Sequence, residues 1–150
     1  MGGWNLGVIM ELRSGSPFGV TESSNRLNTF GPVQRSNIIG DPVLSSDRSR
    51  AELVRGWFNI QAFAFPGSGK LGNTARRLMT GPGFASADAS LAKNFRFSEK
   101  RYVELRADAF NLLNRPNFRL PSGRRGQADF GTISSTFDAR SIALGLRIVY

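Results

Sequence analysis

Three sets of residues carry types and spacings that could do chemistry. Gly67-Ser-Gly69-Lys70-Leu-Gly72 has the G-x-G-x-x-G spacing of a phosphate-cradling turn, with a Gly-Lys pair inside it. Such a turn works when a strand leads in and a helix leads out. No such unit surrounds it, and Leu71 stands where a phosphate loop has Ser or Thr. A flexible glycine-rich loop tip is the expected role. Asp88 and Glu104 could form a carboxylate pair on adjacent strands. Arg96 and Arg106 share their face, so cross-strand ion pairing is expected instead. Arg119, Arg124 and Arg125 cluster near one loop tip, and guanidinium groups grouped in this way suit an anion. His and Cys are both absent. That excludes a Ser-His or Cys-His nucleophile pair, a zinc site built on His or Cys, and any disulfide. No catalytic residue, metal site or cofactor is expected, and the chain reads as a non-enzyme.

The elements that hold these residues alternate at period two, the mark of strands with one apolar face. Trp4, Leu6, Val8, Met10 and Leu12 share a face, opposite Asn5, Gly7, Glu11 and Arg13, with Ile9 as the exception. Ala85, Ala87, Ala89, Leu91, Phe95 and Phe97 oppose Ser86, Asp88, Ser90, Asn94 and Arg96, with Lys93 as the exception. Val103, Leu105, Ala107 and Ala109 oppose Glu104, Arg106 and Asp108. Ile142, Leu144, Leu146, Ile148 and Tyr150 oppose Ser141, Ala143, Gly145 and Arg147. Each segment has about the length of a tilted membrane strand. No run is long and apolar enough for a membrane helix.

The connections are unequal. A tight turn around Ser98-Glu99-Lys100 joins the second and third segments, whereas residues 14–83 and 114–138 form long stretches rich in Gly, Pro, Ser, Asn and Arg. Ser49-Arg-Ala-Glu52 reads as a capping box that starts a short helix inside the first stretch. Trp57-Phe58 and Ala62-Phe63-Ala64-Phe65 are expected to pack that helix down. With antiparallel pairing, both long stretches lie at one end of the sheet. Trp4, Phe97 and Tyr150 then lie at the other end on the apolar face, as an aromatic girdle would. Lys93 breaks the apolar face near that end, where its amine can snorkel to the interface. The expected fold is therefore all-β: an antiparallel transmembrane β-barrel fragment of about four amphipathic strands. They lie near 4–13, 84–97, 101–113 and 139–150, with long extracellular loops.

The 150 residues carry a formal charge of +9. Residues 14–83 hold eight basic and four acidic residues, and residues 114–138 hold four and two. The loops thus carry +6 of the +9. A soluble antiparallel sheet packed on one face gives the same alternation. Its functional counterpart is a soluble basic β-sheet module that binds nucleic acid or other polyanions, with Phe, Tyr and Trp stacking on bases. No recognised nucleic-acid motif is present, and a nucleic-acid partner is not expected.

Several motifs, in order, carry a resemblance. Gly72-Asn-Thr-Ala-Arg-Arg-Leu-Met-Thr-Gly-Pro-Gly-Phe84 is followed by Asp88-Ala-Ser-Leu-Ala-Lys-Asn-Phe-Arg-Phe97, and then by Leu105-Arg-Ala-Asp-Ala-Phe-Asn-Leu-Leu-Asn-Arg-Pro-Asn-Phe118. Phe130-Gly-Thr-Ile133, the Arg140–Tyr150 ending and the Trp4–Phe18 opening complete the set. Together they resemble TonB-dependent outer-membrane receptors, in particular the Oar-like subgroup with a carboxypeptidase-regulatory-like domain at its start. The resemblance spans nearly the whole chain and is weakest across residues 20–50.

The resemblance implies the following. Residues 1–150 would be the C-terminal segment of a receptor barrel without its plug domain. No signal peptide is expected at Met1-Gly2-Gly3-Trp4. The intact protein would sit in the outer membrane of a Gram-negative-type cell and take up a ligand with energy delivered through TonB. Its partners would be outer-membrane lipid, the remainder of the barrel and plug, and TonB acting through the plug. Gly145, Ile148 and Tyr150 fit a C-terminal signal read by the barrel-assembly machinery through strand addition, with Ala143 where a polar residue is usual. Arg119, Arg124 and Arg125 would face lipopolysaccharide phosphates or an anionic ligand. The isolated segment would not transport.

Overall fold

The computed structural model describes residues 2–28 and 33–150. The chain divides into two compact units, one built from 1–14, 83–117 and 137–150, the other from 15–82 and 118–136.

The first unit is a four-stranded antiparallel sheet of β1 (Trp4–Arg13), β2 (Phe84–Arg96), β3 (Tyr102–Phe110) and β4 (Ser141–Val149), adjacent in that order. The strands have 10, 13, 9 and 9 residues. About 9–11 residues suffice for a tilted strand to cross a bilayer. The register puts like with like. One rung reads Leu6–Leu91–Ala107–Leu144, the next Val8–Ala89–Ala109–Ile142, and a third joins Phe95, Val103 and Ile148. Between them lie the polar rungs Gly7–Ser90–Asp108–Ala143 and Asn94–Glu104–Arg147. A slip of one residue at any pairing would turn that strand's apolar set to the polar side, so the alternation itself fixes the register.

The joints explain where the strands stop. The β2–β3 turn closes through the Phe97 amide donating to the Arg101 carbonyl at 2.9 Å and the Arg101 amide donating to the Ser98 hydroxyl at 3.2 Å. At the far end β3 stops at Phe110, short of the expected 113. Asn111 takes the left-handed conformation (φ 48°), which breaks the extended run. Its amide donates to the Asp88 carboxylate at 2.8 Å, and its side-chain nitrogen donates to the carbonyls of Arg115 and Asp138. Asn117 closes the same end of β2 by imitating a strand. Its side-chain oxygen accepts from the Ala85 amide (3.0 Å), and its nitrogen donates to the Ala85 carbonyl (2.9 Å). The expected strands at 84–97 and 139–150 are likewise trimmed at their ends, Phe97 having joined the turn.

The second unit is held by side chains rather than long ladders. Among the described residues three two-residue pairings stitch it: Pro17–Phe18 with Met79–Thr80, Asn37–Ile38 with Phe63–Ala64, and Thr21–Glu22 parallel to Arg124–Arg125. Phe18, Val20, Phe58, Ala62 and Phe63 form its buried core, with Ile38, Trp57, Leu78, Met79 and Phe130 packed against it. The Phe58 ring lies 5.8, 5.5 and 5.3 Å from those of Phe18, Phe63 and Phe130. Aromatic pairs at such spacings add about 0.5–1.5 kcal/mol each beyond their buried area. Helix α1 (Arg50–Arg55) starts with the expected capping box. The Ser49 hydroxyl accepts from the Glu52 amide while Glu52 accepts from the Ser49 amide at 2.8 Å. The stretches expected to be loops therefore hold a core of their own.

Candidate functional site

The sheet presents two chemically opposed faces. On one, Leu6, Val8, Met10, Leu12, Ile142, Leu144, Leu146 and Ile148 project and are exposed. Leu144 is 81% exposed, so none of the described residues covers this face there. In water an apolar band of that extent would be an interaction surface. Against hydrocarbon it needs no cover. The other face carries Glu11, Arg13, Asp88, Arg96, Glu104, Arg106, Asp108 and Arg147. The expected ion pairing across strands is replaced by pairing along them. Arg13 meets Glu11 at 2.7 Å and Arg106 meets Asp108 at 2.9 Å, each two residues apart on one strand and so on one face. Asp88 is taken up with the Asn111 amide and the Ser86 hydroxyl rather than with an arginine or with Glu104.

Trp4, Phe97 and Tyr150, expected to form the girdle, sit at the short-turn end, all exposed, Tyr150 at 99%. Gly145 lies on the polar face opposite Arg106, and Ile148 on the apolar face opposite Val103. Lys93 sits at the same end, opposite Trp4 and Leu105. Its ammonium donates to the Gly2 carbonyl at 2.6 Å and lies over the rings of Trp4 (4.9 Å) and Phe95 (5.6 Å).

In the second unit the G-x-G-x-x-G segment faces away from phosphate chemistry. Its backbone groups are engaged within the protein: the buried Gln34 side chain donates to the Gly67 and Lys70 carbonyls at 2.9 and 2.8 Å. The Gly69 amide donates to the Arg26 carbonyl at 2.7 Å. Gly72 is required because a Cβ there would lie 2.0 Å from the Arg35 carbonyl oxygen. The tip is exposed, and these hydrogen bonds tie its base to Gln34 and Arg26. The three arginines have different settings. Arg125 donates to the buried Glu22 carboxylate (3.2 Å) and to the Phe63 carbonyl (3.3 Å). Glu22 in turn accepts from the Ser36 hydroxyl at 2.7 Å. Arg119 donates to the Thr136 carbonyl at 3.2 Å. Arg124 is exposed beside Arg125. Arg125 thus belongs to the packing of the unit. Gln34, Glu22, Asn111 and Asn117 were not legible as structural centres. Only the positions of Asn111 and Asn117 at the end of an alternating run hinted at a terminator.

A sheet with one bare apolar face, an ion-paired polar face, a short turn at one end and long excursions at the other is the wall of a membrane β-barrel. The outer membrane beta barrel domain family matches residues 1–143, and the chain belongs to it. Its place is the outer membrane. No helix among the described residues is long and apolar enough to cross a membrane. No curated protein and no solved structure matches the chain.

Proposed function

We propose that this chain forms the C-terminal wall of a TonB-dependent receptor barrel of the Oar-like kind, which in its intact form takes up a ligand with energy from TonB. One observation carries the reading. The motifs behind the resemblance meet at a single joint. Asp88 of one motif accepts from the Asn111 amide of the next, and Asn117 of that same motif pairs with the Ala85 backbone. Residues that resemble a family in order and spacing thus also depend on one another. β1 and β4 are the outer strands of the sheet and offer free ladder edges for further barrel strands. In this reading the assembly machinery docks on β4 through Gly145, Ile148 and Tyr150. Trp4, Phe97 and Tyr150 ride at the inner interface, and Arg119 and Arg124 meet lipopolysaccharide phosphates or an anionic ligand outside. No side chain is assigned a catalytic role, and no nucleic acid is a partner.

The test is made on the intact protein in its native cell of a Gram-negative type. It is expected to fractionate with the outer membrane, to migrate differently on gels before and after heating, and to cross-link to TonB. A heat-modifiable outer-membrane protein without a TonB cross-link would leave the barrel standing and overturn the uptake reading.

A further inference from the structure

Lys93 is the one charged residue among the described lipid-facing positions of the four strands. A lysine on that face is costly unless its amine reaches polar surroundings. Here the amine is held at a defined place by the Gly2 carbonyl and by two aromatic rings. An ammonium has three donors, and the Gly2 carbonyl takes one. Among the described residues no carboxylate pairs with it. Beside it lies a trough of about 340 Å³, lined by Trp4, Leu91, Phe95, Leu105, Ala107 and Leu144. The short Ala107 side chain, between Leu91 and Leu144 in its rung, leaves the trough open. A cation at the rim of an apolar trough is complementary to a molecule with an anionic head and a hydrocarbon tail. Short turns of outer-membrane barrels lie on the periplasmic side, and Lys93 is three residues from the end of β2 at the short turn.

We propose that Lys93, Trp4 and the trough around Ala107 form a seat for one anionic phospholipid of the periplasmic-side leaflet. The Lys93 ammonium takes the headgroup phosphate, the Trp4 indole lies at the level of the glycerol backbone, and an acyl chain lies in the trough. This is independent of any transported ligand.

Native mass spectrometry of the detergent-extracted intact protein tests the seat. Phosphatidylglycerol and phosphatidylcholine of identical chains are titrated separately. The protein is expected to retain phosphatidylglycerol about five-fold better, the effect of one basic residue near a membrane surface. Lys93→Gln is expected to bring the two lipids to parity, whereas Lys93→Arg keeps the preference. Ala107→Phe, which fills the trough, is expected to lower retention of both lipids. Heat-modifiable migration confirms that each variant is folded. Equal retention of the two lipids by the unmodified protein, a preference that survives in Lys93→Gln, or unchanged retention in Ala107→Phe would overturn the proposal.

Discussion

The two units solve opposite problems within one chain. In the sheet the large apolar side chains point outward, and the buried apolar residues are only Ala87 and Ala92. Its cohesion lies in the backbone ladders, and its apolar face is matched to lipid. In the second unit Phe18, Phe58 and Phe63 point inward, and its polar interior is satisfied. Gln34, Ser36 and Thr74 have no exposed surface and all are hydrogen-bonded. That is how a protein folds in water. The difference marks where the solvent changes along the chain: strands 4–13, 84–96, 102–110 and 141–149 belong to the bilayer, and the long excursions belong to the aqueous side.

Substitutions should therefore hurt in opposite ways in the two regions. The largest effect is expected at Phe58, which touches three other rings. Phe58→Ala should cost about 3–5 kcal/mol of the second unit's stability. Hydrogen exchange should then rise across residues 15–82 while the sheet amides stay protected. If both regions loosened together, they would not be separate folding problems. Next comes charge on the lipid face. Leu144→Arg should cost about 2–4 kcal/mol in denaturant unfolding from bilayers, the cost of Arg near the midplane. Ala143→Arg, one residue away and opposite Asp108, should change little. Equal costs would erase the distinction between the faces.

The smallest effect belongs to α1. Ser49→Ala should cost about 1 kcal/mol by removing the cap. The Ser49 hydroxyl and amide hydrogen bonds, with help from Arg48, hold the Glu52 carboxyl below its ordinary value of 4.5. A carboxyl with a depressed folded-state pKa stabilises above its unfolded value, and that contribution is lost as pH falls through the folded value. Exchange of the α1 amides should therefore speed up as pH drops below 4.5, after correction for the intrinsic rate. Ser49→Ala should flatten that response.

The same contrast explains what could be read from sequence. The strands were legible because period-two alternation is local and runs for nine or more residues. Their lipid face followed, since Trp4, Leu91, Ala107 and Leu144 each declare their side without reference to the others. The capping box at Ser49–Glu52 was legible for the same reason. The core of the second unit was not. Its ladders are two residues long, and its decisive contacts are remote: Glu22 meets Arg125 across 103 positions, and Gln34 reaches Gly67 and Lys70 across 33 and 36. Such pairings leave no periodic trace, so residues 14–83 read as loop. Carboxylates were misplaced because alternation gives a face but not a partner. Arg106 chose Asp108 on its own strand, and Asp88 chose the Asn111 amide.

The central claim is that one face of the sheet meets lipid and the other water. The chain has no cysteine, so single cysteines can be placed along β4 without background. Spin labels on I142C, A143C, L144C, G145C, L146C, R147C and I148C in bilayers should alternate. The even positions should collide preferentially with oxygen, which concentrates in the hydrocarbon, and the odd ones with a water-soluble nickel chelate. A profile without that alternation, or one with the two sets exchanged, would contradict the account.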